Sequence, residues 1–374
     1  MNRKKWYWLG TMFCCLTSMS AQQTSELENV PAQVSIVYPL GTNGKQSPYN
    51  TYNFSLNLLT GKIGGLRGME ISGLYGQVER NLLGVQVAGL GNVVGGGMNG
   101  MQISGLASII GAGAKGMQVA GITNIIGTGM TGIQVSGITN IVGDEMKGLQ
   151  VSGIANIVGD EVKGLQVAGL ANVGGEEMKG VQIAGIYNRT KTMKGLQLSI
   201  LSVNDTVDNG VSLSLINIVK KGAYKEWELS FSDYANVALS FKMGTQKFYT
   251  LYTAGVNFVE DDLWFLGIGF GNRTPIGKRF DFQPELVFNN YFPINFKDIQ
   301  ETSTTRLKLG FAYRVNEKFG LSLAPNVYVM NADKNSKPDS DFYKISPFNA
   351  LYTHKSDNRL TAIGIGVSVG LSMR

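Results

Sequence analysis

From Gly68 onward a glycine opens nearly the same phrase every 16 residues, at Gly68, Gly84, Gly100, Gly116, Gly132, Gly148, Gly164 and Gly180. Two degenerate copies follow from Gly195 and Gly210. The phrase runs Gly, aliphatic, Gln, Val or Ile, Ala or Ser, Gly, Ile or Leu, a small residue, Asn, two aliphatics and Gly. Variable polar or Met positions complete it. A fixed period of this kind means one structural unit repeated along the chain. The unit is β: Val and Ile dominate, and glycine recurs where each would weaken a helix by ~1 kcal/mol. No proline occurs between Pro48 and Pro275, as a sheet requires, because a proline deletes a ladder hydrogen bond.

Written as one extended strand, the copy at Gly148 puts Leu149, Val151, Gly153, Ala155 and Ile157 on one face. Gln150, Ser152, Ile154, Asn156 and Val158 fall on the other. Two all-β arrangements satisfy this pattern. In the first, the repeats are strands of a large antiparallel outer-membrane-type β-barrel of about 16–22 strands, apolar outside and polar inside. Gln102, Gln118, Asn124, Gln134, Asn140, Gln150, Asn156, Gln166 and Asn172 then face a lumen, which Ile122, Ile138, Ile154 and Leu170 narrow. In the second, the repeats coil into a β-solenoid followed by a smaller barrel-like domain, and the same Gln and Asn residues stack as buried ladders. The second is favoured by an identical turn at every repeat. The absence of Phe, Tyr and Trp between Gly76 and Ile186 also favours it, since barrels carry aromatic girdles.

The remainder of the chain favours a membrane barrel. Segments such as "LWFLGIGFG", "RLKLGFAYR" and "RLTAIGIGVSVGLSMR" are aromatic-rich or alternating, and short turns exchange with long polar connections. That asymmetry is the build of outer-membrane barrels. About eight strands are expected between 225 and 374, and Pro284 and Pro325 imply either bulges in them or strands wrongly drawn there. Near the start, "VSIVYPLG" and "YNFSLNLLTG" are expected to form a hairpin over 34–60, ahead of repeats spanning 68–224. With these residues in view, roughly 34 to 374 resembles the bacterial surface-repeat proteins of Gram-negative envelopes, which carry a Gly-x-Gln-Val/Ile-x-Gly-x-x-Asn repeat. Members often place an aromatic after the leading glycine, where Met117, Ile133 and Leu149 stand here. The resemblance implies a cell-envelope location and no established activity.

Residues 1–21 have the order of a cleaved secretory signal: Arg3, Lys4 and Lys5, an apolar stretch, then small residues up to Ala21. The apolar stretch is short of the ~20 residues of a spanning helix. The bulky "TMF" before Cys14 argues against a lipoprotein site. Both cysteines, Cys14 and Cys15, lie in this segment, so the mature chain is expected to hold no disulfide. Net charge falls from +6 to +3 once Arg3, Lys4 and Lys5 are removed, and no basic run with interleaved aromatics suggests nucleic acid.

Chemistry-bearing residues are few. His354, the single histidine, sits beside Ser356 and Asp357, but neighbours in sequence rarely form a catalytic triad and no G-x-S-x-G elbow exists. "NADKN" at 331–335 opens like a calcium loop, yet Ser336 stands where glycine is required. Asp333, Asp339 and Asp341, and likewise Glu260, Asp261 and Asp262, read as solvated loop charges. The expectation is therefore a non-enzymatic outer-membrane or cell-surface protein without cofactor or metal, in contact with outer-membrane lipid. It either passes or binds small solutes, or serves as a surface-exposed structural or adhesion protein.

Overall fold

A computed structural model describes residues 28–232, 235–257, 263–293, 302–333, 350–356 and 359–374. Strands from Glu28 to Lys221 form one sheet of 21 strands, nearly all paired in parallel with the strand one coil away. Each full repeat supplies a long and a short strand, such as Met146–Ser152 and Ala155–Val158. Long strands stack on long strands and short on short, in register: Gln134 lies opposite Gln150, and Asn140 opposite Asn156. The repeats are therefore coils of a β-solenoid, not antiparallel strands of a large barrel. An offset of one repeat sets each amide beside its own copy, which antiparallel pairing would not do.

The chain turns inward and outward at three places per coil. At Gly148 the backbone takes φ +123°. At Gly153–Ile154 and Gly159–Asp160 it bends between strands. Glycine is required at the first two corners by close approach as well. A Cβ at Gly148 would lie 2.1 Å from the Gly132 carbonyl oxygen, and one at Gly153 2.1 Å from that of Gly137.

These bends decide which side chains are inside. Met146, Gln150, Ser152, Asn156 and Val158 are buried, whereas Leu149, Val151 and Ile157 look outward. Ile122, Ile138, Ile154 and Leu170, expected inside with Gln and Asn, are instead 40–46% exposed, because the Gly–Ile corner interrupts the alternation. The interior divides into an apolar half, which includes Val94, Met98, Ile126, Met146 and Val158, and a polar half of Gln, Ser and Asn.

The N-terminal hairpin expected over 34–60 is also replaced by solenoid. Glu28–Val37 and Asn50–Asn57 pair in parallel, with Gln33 opposite Ser55, and Asn50–Asn57 pairs in turn with Gly65–Ser72. A polar connection does not reveal whether the returning strand comes back antiparallel or completes a coil.

Tyr224–Ser232, Val237–Gly244, Tyr249–Asn257, Leu263–Gly271, Phe280–Pro293, Thr302–Arg314, Phe319–Asp333 and Arg359–Met373 form an antiparallel barrel. It closes where Leu229 lies opposite Leu371. Pro284 and Pro325 lie within its strands without shifting register: Pro284 faces Leu309 and Pro325 faces Val367. The strand order places the connections 245–248, 272–279 and 315–318 at the same end as Tyr224 and Arg374. The strand ends joined through 233–236, 258–262, 294–301 and 334–358 lie at the other end.

The last solenoid strand, Val211–Lys221, ends against the outer wall of the barrel. Thr250 and Tyr252 point outward from the barrel and donate hydrogen bonds to the carbonyl oxygens of Ser214 (2.7 Å) and Leu215.

Candidate functional site

Three constructions stand out: the amide ladders of the solenoid, its outward apolar wall, and the charged interior of the barrel. Every Gln and Asn singled out in the sequence is 0% exposed and belongs to a ladder. Gln102, Gln118, Gln134, Gln150 and Gln166 each donate Nε2 to Oε1 of the glutamine one coil earlier, at 2.7–2.9 Å. The asparagines run the other way, Asn124 to Asn140, Asn140 to Asn156 and Asn156 to Asn172, at 2.9–3.0 Å. Each asparagine also donates to a strand carbonyl of the following coil, as Asn140 does to Val151 O at 2.6 Å. Ser108 takes the place of a rung and bonds Ser104 at 2.8 Å, leaving Asn124 Oδ1 without a partner among the described residues.

At the N-terminal end the glutamine ladder finishes on a carboxylate. Glu70 accepts from Gln86 Nε2 at 2.7 Å and from Asn57 Nδ2 at 2.9 Å. Burial pushes the Glu70 carboxyl up to about 7, against the lowering effect of those two amides. A carboxyl whose folded pKa is raised binds more protons folded than unfolded across the interval between the two values. Its contribution is therefore fully present below its ordinary value of 4.5 and is lost as pH rises through about 7. The span corresponds to about 3 kcal/mol. Glu70→Gln is expected to flatten this slope: a wild-type melting temperature that falls between pH 4.5 and 7.5 should become nearly level in the variant. An unchanged slope would show that another group sets it.

Outside, the solenoid is two-sided. Lys147, Lys163 and Lys179 interleave with Glu145, Glu161 and Glu177 along one corner, at 2.6–2.8 Å. The lysine hydrogen bonds hold Glu161 down to about 2. The opposite side is apolar. The columns containing Leu149, Val151, Ile154 and Ile157 hold no charged residue between Val85 and Ile186.

The barrel interior was not anticipated from the sequence. Lys242 Nζ lies 2.5 Å from Glu228 Oε2, 2.7 Å from Glu285 Oε1 and 3.4 Å from Glu226 Oε1. Lys308 joins Glu285 at 3.0 Å, and Tyr249 donates to Glu285 at 2.8 Å. Nearer the end that carries the chain terminus, Arg374 reaches Glu226 at 2.8 Å, and Arg273 reaches Asp281 at 2.5 Å. All except Arg374 are at least nine-tenths buried. The signal was present in "YKEWELSFS", where Glu226 and Glu228 alternate with Trp227, Leu229 and Phe231. Period 2 puts both carboxylates on one face and the apolar residues on the other.

The outer wall is the converse. Leu229, Phe231, Leu307, Leu323, Val367 and Leu371 are exposed. Aromatic pairs gather toward both rims: Phe280 with Tyr313 near the end bearing the chain terminus, and Trp264 with Phe292 near the other.

The remaining sequence candidates are not brought together. His354 is exposed on the short strand Tyr352–Lys355, opposite Thr361. Asp357, the segment 1–21, Glu260, Asp261, Asp262, Asp339 and Asp341 lie outside the described residues, and Asp333 ends a barrel strand. Compared with protein-family models, curated proteins and solved structures, the chain matches none.

Proposed function

We propose that this is a non-enzymatic envelope protein, in which the barrel is an outer-membrane anchor and the solenoid a rigid structural arm. The observation that carries the reading is the inverted wall of the barrel, with Leu229, Leu307, Leu323 and Val367 outside and Lys242, Glu228, Glu285 and Lys308 inside. Water-soluble proteins rarely expose apolar surface so continuously, whereas outer-membrane strands alternate in this way and carry aromatic girdles at both interfaces. At ~3.3 Å per residue and ~40° tilt, the four strands of 13–15 residues rise about 33–38 Å and exceed an apolar band of ~25 Å, and the four of 8–9 residues rise about 20–23 Å and nearly match it.

Anchoring fits the interior better than solute passage. An eight-stranded barrel is just wide enough for its own side chains, and here the ion pairs around Lys242 occupy that space. Short turns mark the periplasmic end of such barrels, and in this reading the solenoid, which joins at that end, lies on the periplasmic side. The signal segment expected at 1–21 and the resemblance to surface-repeat proteins each imply a cell-envelope location, which supports this reading.

Electrophoresis of detergent-extracted protein with and without boiling tests the anchor, and planar-bilayer recording tests the plug. The expected result is a heat-dependent change in migration with no conductance above the bare bilayer. Recovery of the intact chain in the soluble fraction without detergent would sink the membrane reading. Sustained channel currents would sink the closed barrel.

A further inference from the structure

We infer that the apolar wall of the solenoid lies on the membrane, against the lipid of the leaflet next to the barrel's short-turn end. This rests on the reading of the barrel as a membrane anchor and adds a second lipid-contacting surface to it.

The orientation follows from how the two parts meet. In a parallel stack the strand carbonyls point along the stacking axis, because that is the hydrogen-bonding direction. The carbonyls of Ser214 and Leu215, on the last coil, accept from Thr250 and Tyr252, which project outward from the barrel wall. The axis of the solenoid therefore runs into the wall side-on, across the barrel axis and along the membrane plane.

The order of the contacts then fixes which side faces lipid. Lys247, in the turn at the barrel's rim, donates to Asn209 at 3.2 Å. Asn209 follows Asp208, whose carboxylate lies 3.8 Å from Lys194 on the charged corner. Thr250 stands further from the rim and meets Ser214, and Tyr252 stands further still and meets Leu215. So the charged corner lies at the rim, and the Leu215 corner is turned toward the middle of the barrel wall.

Leu215 begins the exposed aliphatic column that continues through Ile186, Ile154 and Ile138 to Leu90 and Leu74, each 41–50% exposed. At ~4.8 Å per coil the column extends roughly 45 Å from the barrel. It is continuous with the barrel's own apolar exterior, since Tyr252 pairs with outward-facing Phe241 beside exposed Leu239. The flanking Val151 and Ile157 columns broaden it and hold no charged residue between Val85 and Ile186, with Lys62 and Arg189 standing at the two ends of the Ile157 column. A surface that is apolar along one side and charged along the other settles in the interfacial region of a bilayer, as amphipathic helices do.

The test places a nitroxide at one position at a time in the full-length chain with Cys14→Ser and Cys15→Ser, reconstituted in phosphatidylcholine vesicles. The labels go at Ile138→Cys, Ile154→Cys, Lys147→Cys and Leu323→Cys, all at exposed side chains. Accessibility to oxygen, which concentrates in lipid, is compared with accessibility to a water-soluble nickel chelate. The expected oxygen-to-nickel ratio is several-fold higher at Ile138 and Ile154 than at Lys147, approaching that at Leu323. A lipid-like Leu323 with nickel-accessible Ile138 and Ile154 would overturn the inference and leave the anchor standing. A nickel-accessible Leu323 would remove both. Protection of Ile138 from both reagents, or dipolar broadening between labels at Ile138, would mean that protein or a second copy covers the wall, and would also overturn it.

Discussion

Asn140→Leu combined with Asn156→Leu is expected to lower the stability of the solenoid by on the order of 4–8 kcal/mol. The double substitution leaves four partners behind. Asn124 loses its acceptor Asn140 Oδ1, Asn172 Oδ1 loses its donor, and the carbonyls of Val151 and Val167 lose the side-chain amides that reach them. A buried polar group stripped of its partner costs about 1–3 kcal/mol, and water cannot enter a closed stack to replace the bond. Far-UV circular dichroism during thermal unfolding is the appropriate measurement, because the solenoid contributes most of the strands and contains no tryptophan. Melting within a degree or two of wild type would mean that the ladders are structurally idle and that shape alone holds the coils together.

Lys242→Met should be the most damaging single change in the barrel, at about 3–5 kcal/mol. Removing the ammonium leaves Glu228 and Glu285 facing each other with Lys308 as their nearest remaining cation, at 3.6 Å and 3.0 Å. Breaking a buried charge cluster on one side costs more than the cluster contributes as a whole, because the other charges stay behind without solvent. For the same reason, adding Glu228→Gln to Lys242→Met should recover much of the loss, because Glu285 keeps Lys308 at 3.0 Å as its partner. Trp227 and Trp264, the tryptophans beyond the first 21 residues, both lie on the barrel, so their fluorescence in a urea titration reports its unfolding selectively. A single variant as stable as wild type, or a double variant no better than the single, would refute this account of the interior.

Much of this structure was legible residue by residue, and the exceptions share a cause. Gln150 inside and Val151 outside followed from alternation, as did the strands of the barrel. Ile154 was misplaced because Gly153–Ile154 is a corner, and a corner of small and aliphatic residues does not interrupt a period-2 pattern. The hairpin over 34–60 was misread because alternation is a property of one strand and is silent on whether its neighbour runs parallel. What did distinguish the two arrangements was the constancy of the turn and the lack of aromatics between Gly76 and Ile186, both of which belong to a stack of identical coils. The charged plug was visible in "YKEWELSFS" but had to be read as an inward row of carboxylates in search of cations.

The in-register pairing of each coil with only its two neighbours makes the arm a ruler. Excising residues 132–147 would join Thr131 to Gly148, set Gln118 beneath Gln150 and Asn124 beneath Asn156, and shorten the arm by ~4.8 Å without changing any other coil or the barrel wall on which the last one rests. Duplicating the same block would lengthen it by as much. Reach can thus be altered in whole-coil steps by gain or loss of a 48-nucleotide segment, while the anchor stays as it is.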